Sequence, residues 1–384
     1  MEIKNLLQKN NKNNIERRNT LNYLAFIKFL AMIKIIKWHI YKFKKRSIDY
    51  GARMCEILFI SSGFLVGYNH YKRNMPCDYE TSFRYLYKHL RNFYPLELIL
   101  IICDYISISK IENNIITEIE IFLSNILMIK VWSRHRKIAF SINAISWFLS
   151  VLIFCYFLAP IFLQGIRKIK TSIILFITIA FIRCSIDEIL YNHLFNLYDA
   201  HLHRGPIIRT IEFYMGMLLI PIFFSLKYHF DRFKNQKWLI IVFTFIQIFS
   251  PIFLYYIMIK YNKKLYRCYF VLIFCFYVFI ASFDYGFLSI IFSNKIFVKI
   301  MSCQMEMYLI QIRINNIFNE LIDKNKFALY FHTEIQFLIK LTLNLDYIIN
   351  YYFYYWFFIY LKYIFNDYFS KKNLLKYLIY LSVK

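Results

Sequence analysis

Long apolar stretches separated by short polar connections form the dominant pattern of this chain. An α-helix needs about 20 apolar residues to cross a hydrocarbon core of roughly 30 Å, and stretches of about that length recur along the sequence. The pattern therefore predicts an all-α membrane protein with about ten transmembrane helices in one bundle. The expected spans are 21–41, 51–70, 92–109, 143–164, 171–184, 208–226, 238–259, 266–285, 296–317 and 345–365.

Two further apolar segments are too short or too polar for a full span. Residues 115–131 carry Glu118 and Glu120, and residues 327–343 are interrupted by three polar side chains. We expect both segments to form interfacial or re-entrant helices.

The placement of charge gives an expected orientation. A basic segment, 1–20, and a basic tail, 366–384, are predicted to lie in the cytoplasm on either side of one transmembrane domain, 21–365. This orientation puts the more acidic connection 185–207 outside, as the positive-inside rule expects. The basic clusters that it places inside are 72–91, 167–170, 227–237 and 371–376. We expect a multi-pass protein of the inner (plasma) membrane.

The composition narrows the class of partner. Hydrophobic residues make up 59% of the chain, which is not the composition of a soluble protein. The formal net charge is +25. Because the Lys and Arg residues lie mainly in the short connections, membrane topology and anionic lipid headgroups explain them better than nucleic acid does. The histidines of the connections lack metal-ligand spacing, so no metal site is predicted.

Lys28 and His39 are the first candidate functional pair. They are eleven positions apart in one apolar run, which places them within roughly 20° on a helix face and about 16 Å apart along its axis. An ionisable group inside a membrane helix is costly and is a functional candidate by default. His39 is either an interfacial histidine beside Trp38 or a general base, and Lys28 requires a partner such as a carboxylate, a phosphate or the substrate.

The second predicted span contains a small-residue motif. Gly63 and Gly67 are separated by four positions, a spacing that lets two helix backbones approach closely. Packing is the simple interpretation. A close contact between the first and second helices would also fix the direction of His39, and Ser62 and Phe64, which flank Gly63, are then expected to line the site.

Arg84, Lys88 and Arg91 form a basic segment before the third span. Their spacings of four and three predict one cationic face on a helix. Such a face is either simply solvated at the membrane surface or binds an anionic cofactor that enters from the cytoplasm, for which coenzyme A is a candidate.

Two more polar groups lie at the openings of later spans. Asn143 and Trp147 open the fourth span, and Arg209 and Glu212 open the sixth. We expect these four residues to line the site. Because Arg209 precedes Glu212 by three residues on the same helix face, a structural ion pair is the simple alternative to a functional role.

With these residues in place, the chain resembles the acyltransferase 3 family of membrane O-acyltransferases, which acylate surface glycans. Six short strings occur in the order of the family's motifs. They are residues 24–39 ending in Trp38-His39, Phe59–Val66 similar to "FxxSGFL", Lys88–Pro95, Ser146–Ser150 similar to "SWxLS", Glu212–Met217 similar to "EFxxGM", and Glu306–Gln311 similar to "YLIQ".

The resemblance implies roles for these candidates. His39 would be the general base or acyl carrier, Lys28 takes the place of the family's arginine, and Arg84, Lys88 and Arg91 would guide the donor. The donor would be acyl-coenzyme A, with no permanently bound cofactor, and the acceptor a hydroxyl group of a capsular polysaccharide, lipopolysaccharide or other surface glycan.

Two other functions remain open from the sequence. A non-enzymatic glycan transporter, or a polymerase of lipid-linked repeat units, would also span the membrane many times and be rich in aromatic residues. An inactive descendant of the family, retained for packing or for binding a partner, is the third alternative.

Overall fold

The computed structural model describes residues 21–43, 50–71, 78–108, 115–133, 135–166, 168–193, 204–233, 236–261 and 267–311. All regular secondary structure in these ranges is helical, without a strand, which confirms the all-α prediction. The segments 1–20, 327–343, 345–365 and 366–384, for which the sequence made predictions, lie outside the described residues.

The helices are numbered here in chain order. They are α1 Asn22–Phe43, α2 Tyr50–His70, α3 Tyr79–Leu90, α4 Tyr94–Ile108, α5 Ile115–Ile126, α6 Arg136–Ala139, α7 Trp147–Gly165, α8 Ile169–His193, α9 Pro206–Leu218, α10 Ile220–Asp231, α11 Lys237–Tyr261, α12 Arg267–Ala281, α13 Phe287–Phe292 and α14 Lys295–Ser302. Two 3-10 turns, Lys130–Trp132 and Ala144–Ser146, precede α6 and α7, and residues 304–311 are helical.

Four helical segments of the described chain are long and apolar enough to cross a membrane. They are Ala144–Gly165, Ile169–Ile189, Pro206–Asp231 and Lys237–Met258. They support the prediction of a membrane protein. By contrast, α5 has only 12 residues, about 18 Å at 1.5 Å per residue, so it is too short for a full span, as the sequence predicted.

One predicted boundary is wrong. The sequence placed Asp187 in an outward connection that began at residue 185, but α8 continues to His193 and buries this carboxylate. The side chain of Asp187 accepts a hydrogen bond from the backbone N–H of Cys268, at 2.7 Å, and lies 3.8 Å from Arg183. These partners replace water around the Asp187 carboxylate. The helix therefore continues past this residue, although its charge interrupts the apolar pattern of the sequence.

The described chain forms two compact units. Among the described residues, the first contains those from 21–38, 50–86 and 151–301, and the second contains those from 39–43, 87–150 and 302–311. Lys28 therefore belongs to the first unit and His39 to the second.

The first unit is built around the close packing of α2 and α9. A Cβ atom at Gly63 would collide with the backbone carbonyl group of Phe213, and one at Gly216 would collide with the carbonyl group of Ile60. The two glycines therefore allow direct backbone contact between the helices.

The N-terminus of α1 is capped within the same unit by a distant residue. The carboxylate of Asp284 accepts hydrogen bonds from the backbone N–H groups of Asn22, at 2.8 Å, and Tyr23, at 3.0 Å. A carboxylate at this position satisfies two N–H groups that have no partner inside the helix and complements the helix dipole.

The predicted span 208–226 is divided into α9 and α10. The division falls at Leu219, and Pro221 occupies the first turn of α10. Proline has no backbone N–H to donate to the preceding turn, which explains why the helix is interrupted there.

The second unit contains a small apolar core. Ile101 of α4, Ile121 of α5, Ile138 of α6 and the following Ile142 pack together, and Tyr105, Phe122 and Ile126 cover them. The core joins three short helices that would each be marginal alone. It fixes the loop that leads into Asn143 and α7.

Candidate functional site

His39 has a defined hydrogen-bond partner in the second unit. Its Nδ1 lies 3.1 Å from Oε1 of Gln311, a residue 272 positions later in the chain. The imidazole is partly exposed, whereas the Gln311 side chain is buried. A histidine with one nitrogen hydrogen-bonded and some exposed surface can accept or donate a proton at its other nitrogen.

The helical residues 304–311 are held against the entrance of α7. The hydroxyl group of Tyr308 donates to the carbonyl oxygen of Ile145 at 2.8 Å, and its ring packs edge-on against Phe148 with 5.4 Å between centroids. In addition, Nδ2 of Asn143 donates to the carbonyl oxygen of Leu309 at 3.2 Å. These contacts give Gln311 a rigid support within this unit.

Asn143 also links this support to two buried ionisable side chains. Its Nδ2 donates to Oε2 of Glu97 at 3.0 Å, and its backbone carbonyl accepts from Nζ of Lys130 at 2.9 Å. Lys130 donates a second hydrogen bond, at 3.2 Å, to the carbonyl of Ser141. The side chains of Glu97 and Lys130 are almost completely buried, so the predicted site residue Asn143 is one member of a larger polar cluster.

Glu97 and Lys130 were not predicted from the sequence as site residues. A glutamate two residues after Pro95, at the start of an apolar helix, is a visible signal of a buried carboxylate. Lys130 gave no comparable signal, because its partners are backbone carbonyl groups in an irregular segment. Trp147, predicted to line the site, follows the Ala144–Ser146 turn in the chain, and its side chain is buried.

Lys28 lies in the first unit, on the same helix as His39, as predicted. Its Nζ donates to Oγ of Ser62 on α2 at 3.4 Å. Ser62 is buried and the lysine is partly exposed. Two of the predicted site residues are therefore in contact, and the partner of the Lys28 ammonium group is a neutral hydroxyl group.

The other predicted residues of α2 pack against the later helices of the first unit. Gly63 contacts Phe213 of α9, and the fully buried Phe64 meets the ring of Phe223 on α10 edge-on at 5.3 Å. The structure places the neighbours of both glycines on later helices, since a Cβ at Gly67 would meet α10, at Ile220. Small residues permit a close contact but do not specify the partner helix.

Arg209 and Glu212 form the ion pair that their spacing suggested. Nη1 of Arg209 lies 2.5 Å from Oε2 of Glu212, and both side chains are completely buried. The pair belongs to a network of three arginines and three carboxylates in the first unit. Its further contacts are Arg209–Glu56 at 3.8 Å, Arg53–Glu56 at 3.6 Å, Arg183–Glu212 at 3.4 Å and Arg183–Asp187 at 3.8 Å.

The four additional members of this network were not predicted from the sequence, although a local signal exists. Arg53 and Glu56 are three positions apart and Arg183 and Asp187 are four apart, which are the spacings of helical ion pairs. Equal numbers of positive and negative groups make the network formally neutral. A neutral, buried network is typical of a structural role.

Arg84, Lys88 and Arg91 are all exposed. Arg84 pairs with Glu80 one turn earlier. α3 ends at Leu90, but the N–H of Arg91 still bonds the carbonyl of Tyr87 at 3.1 Å, so the helical pattern extends to this residue.

The beginning of α3 is fixed by Asp78. Its Oδ1 accepts a hydrogen bond from the backbone N–H of Thr81 at 2.6 Å. This bond lowers the pKa of the Asp78 carboxyl group, because it stabilises the charged form. The negative charge also complements the positive end of the helix dipole.

Neither a metal site nor a known relative indicates a function for this chain. Among the residues that the structure describes, no cluster of three or more His, Cys, Asp or Glu side chains could hold a metal ion. No protein-family model, no curated protein and no solved structure matches the chain.

Proposed function

We propose that this protein is an integral membrane O-acyltransferase that moves an acyl group, most simply acetyl, from acyl-coenzyme A to a hydroxyl group of a surface polysaccharide or lipopolysaccharide. The observation that carries the proposal is the hydrogen bond between Nδ1 of His39 and Oε1 of Gln311. It fixes a partly exposed imidazole, the group best suited to accept a proton near neutral pH. The order of the six sequence motifs supports the same function.

His39 is the general base of the proposed reaction. Its second ring nitrogen, Nε2, accepts the proton of the acceptor hydroxyl group while the hydroxyl oxygen attacks the thioester carbonyl carbon. The carbon–sulfur bond then breaks, and the departing thiolate of coenzyme A takes the proton from the imidazolium. The products are the glycan ester and free coenzyme A, and His39 returns to its neutral form.

The donor is attracted by the exposed basic residues Arg84, Lys88 and Arg91. Coenzyme A carries several phosphate charges, and cationic side chains at a membrane surface raise the local concentration of such an anion. The proposal includes the remaining predictions from the sequence: about ten spans in one bundle, a cytoplasmic N-terminus, and residence in the inner (plasma) membrane.

The decisive experiment compares the surface glycan of cells that carry wild-type protein, His39→Ala or His229→Ala. His229 is a matched control, because it is an exposed histidine at the end of α10. Mass spectrometry of the glycan measures both its acyl groups and its chain length, and immunoblotting of membranes measures the amount of protein.

We expect His39→Ala to remove the acyl increments at normal protein abundance and His229→Ala to retain them. A His39→Ala strain whose glycan remains acylated would contradict the proposal. A glycan that loses chain length while its acyl content per sugar is unchanged would instead identify a transporter or polymerase.

A further inference from the structure

The orientation of the Gln311 amide is determined by the backbone. Its Nε2 donates a hydrogen bond to the carbonyl oxygen of Tyr308 at 2.9 Å. A carbonyl oxygen can only accept, so the NH₂ end of the amide must face Tyr308. The opposite orientation would place two oxygens against each other in a buried environment, where an unsatisfied polar group is costly.

This orientation determines the protonation of His39. Oε1 of Gln311 can only accept a hydrogen bond, and it faces Nδ1 of His39 at 3.1 Å. Nδ1 must therefore carry the hydrogen, and the lone pair of the neutral imidazole resides on Nε2. An imidazole in one fixed tautomer can act as a base through one defined nitrogen.

The surroundings of Gln311 prevent the amide from turning. Gln311 has only 2% of its surface exposed. The preceding residues of its helix are fixed by the hydrogen bonds of Tyr308 to Ile145 and of Asn143 to Leu309. All of these groups belong to the same compact unit as His39.

We infer that Gln311 is a positioning residue that holds His39 in the tautomer with the proton on Nδ1, so that Nε2 is the base of the acyl transfer. This inference rests on the proposed function for its catalytic part. The tautomer itself follows from the hydrogen bonds and is measured separately.

Three substitutions distinguish positioning from packing. Gln311→Met keeps the length of the side chain but removes the acceptor. Gln311→Glu keeps an oxygen acceptor for Nδ1. Gln304→Met is the matched control, since Gln304 lies seven positions earlier in the same helix and its side-chain oxygen accepts no hydrogen bond from the described part of the chain.

The first measurement is ¹⁵N NMR of histidine-labelled protein in lipid bilayers, with the His39 signals assigned by their loss in His39→Asn. We expect a protonated Nδ1 in the wild type, Gln311→Glu and Gln304→Met, and a mixture of tautomers in Gln311→Met. A wild-type His39 protonated on Nε2, or a tautomer unchanged in Gln311→Met, would overturn the inference.

The second measurement is steady-state kinetics of acyl transfer with purified protein. We expect Gln311→Met to lower kcat, by no more than the roughly 10²- to 10⁴-fold that general-base catalysis contributes, because His39 is still present but is no longer held in one tautomer. The KM for acyl-coenzyme A should change by less than about twofold. Gln304→Met should stay close to the wild type. Gln311→Glu keeps the acceptor for Nδ1 but loses the donor to the Tyr308 carbonyl, so it should be less active than the wild type and more active than Gln311→Met. Equal kcat values for Gln311→Met and the wild type would overturn the catalytic part.

The two measurements separate the failure of this inference from the failure of the proposed function. NMR reads the tautomer of His39 whether or not the protein transfers acyl groups. If Nδ1 is protonated and no acyl transfer occurs in the wild type, the catalytic role of Gln311 is wrong together with the proposed function. Gel filtration of each variant shows whether a lost signal reflects a lost fold.

Discussion

Nη1 of Arg209 lies 2.5 Å from Oε2 of Glu212, and neither side chain has measurable exposed surface. Removing one partner of a buried ion pair leaves an uncompensated charge, which costs about 3 to 5 kcal/mol. We expect Glu212→Gln to lower the free energy of unfolding by about that amount, measured by thermal unfolding of the purified protein in detergent.

The paired substitution tests whether charge balance causes this loss. In Arg209→Met/Glu212→Met the remaining charges are still paired, as Arg53 with Glu56 and Arg183 with Asp187. We therefore expect the double variant to be more stable than Glu212→Gln. Glu188→Gln, at an exposed glutamate of α8, is the control and should leave the unfolding temperature unchanged. A double variant that is less stable than Glu212→Gln would contradict the role assigned to charge balance.

The contact between α2 and α9 gives a second prediction. We expect Gly63→Ala to lower stability by about 3 kcal/mol or more, because the new methyl group would collide with the carbonyl group of Phe213, which is held in α9. Gly67→Ala should lower it less, since its nearest neighbour is a side-chain atom, Cγ1 of Ile220 at 2.7 Å, and not a backbone carbonyl group. The unfolding temperatures of the two variants decide the order, and equal losses would contradict the role assigned to the backbone contact.

Lys28 provides a third prediction. A cation inside a membrane helix is costly, and the Ser62 hydroxyl group to which it donates, at 3.4 Å, is neutral. We expect Lys28→Met to be at least as stable as the wild type. We also expect it to reduce glycan acylation at least about tenfold, which is the effect of losing one charge-assisted hydrogen bond donated by Lys28 during the reaction. Lys28→Arg should retain both properties.

The control for Lys28 lies on the same helix. Lys34 is exposed, and Lys34→Met should change acylation little. Acylation is measured per molecule of protein by mass spectrometry of the glycan and quantitative immunoblotting. A Lys28→Met variant that is unstable but fully active per molecule would assign Lys28 to packing alone.

Local features of the sequence predicted the local features of the structure. The helical class follows from the length and spacing of the apolar runs, and Arg209 and Glu212 pair because three positions bring side chains together on any helix. Likewise, Lys28 and His39 lie on one helix because the apolar pattern is continuous between them. Each of these features depends on neighbours within one or a few turns.

The remaining features depend on partners that are distant in the chain. Gln311 is 272 positions from His39, and nothing in the residues around either one specifies the other. The glycines of α2 could be recognised as a packing motif, but Phe213 could not be recognised as their partner. The end of α8 was misplaced for the same reason, since the backbone N–H of Cys268, which binds the buried Asp187 carboxylate, is 81 positions away in the chain.

The cap on α1 places a condition on how this chain matures. Asp284 follows Asn22 by 262 positions, so the first helix has emerged from the ribosome long before the carboxylate that binds its leading amides has been synthesised. Those amides must be satisfied by water or by other groups throughout that interval. The final seating of α1 is therefore a late event, completed only after translation has passed the end of α12.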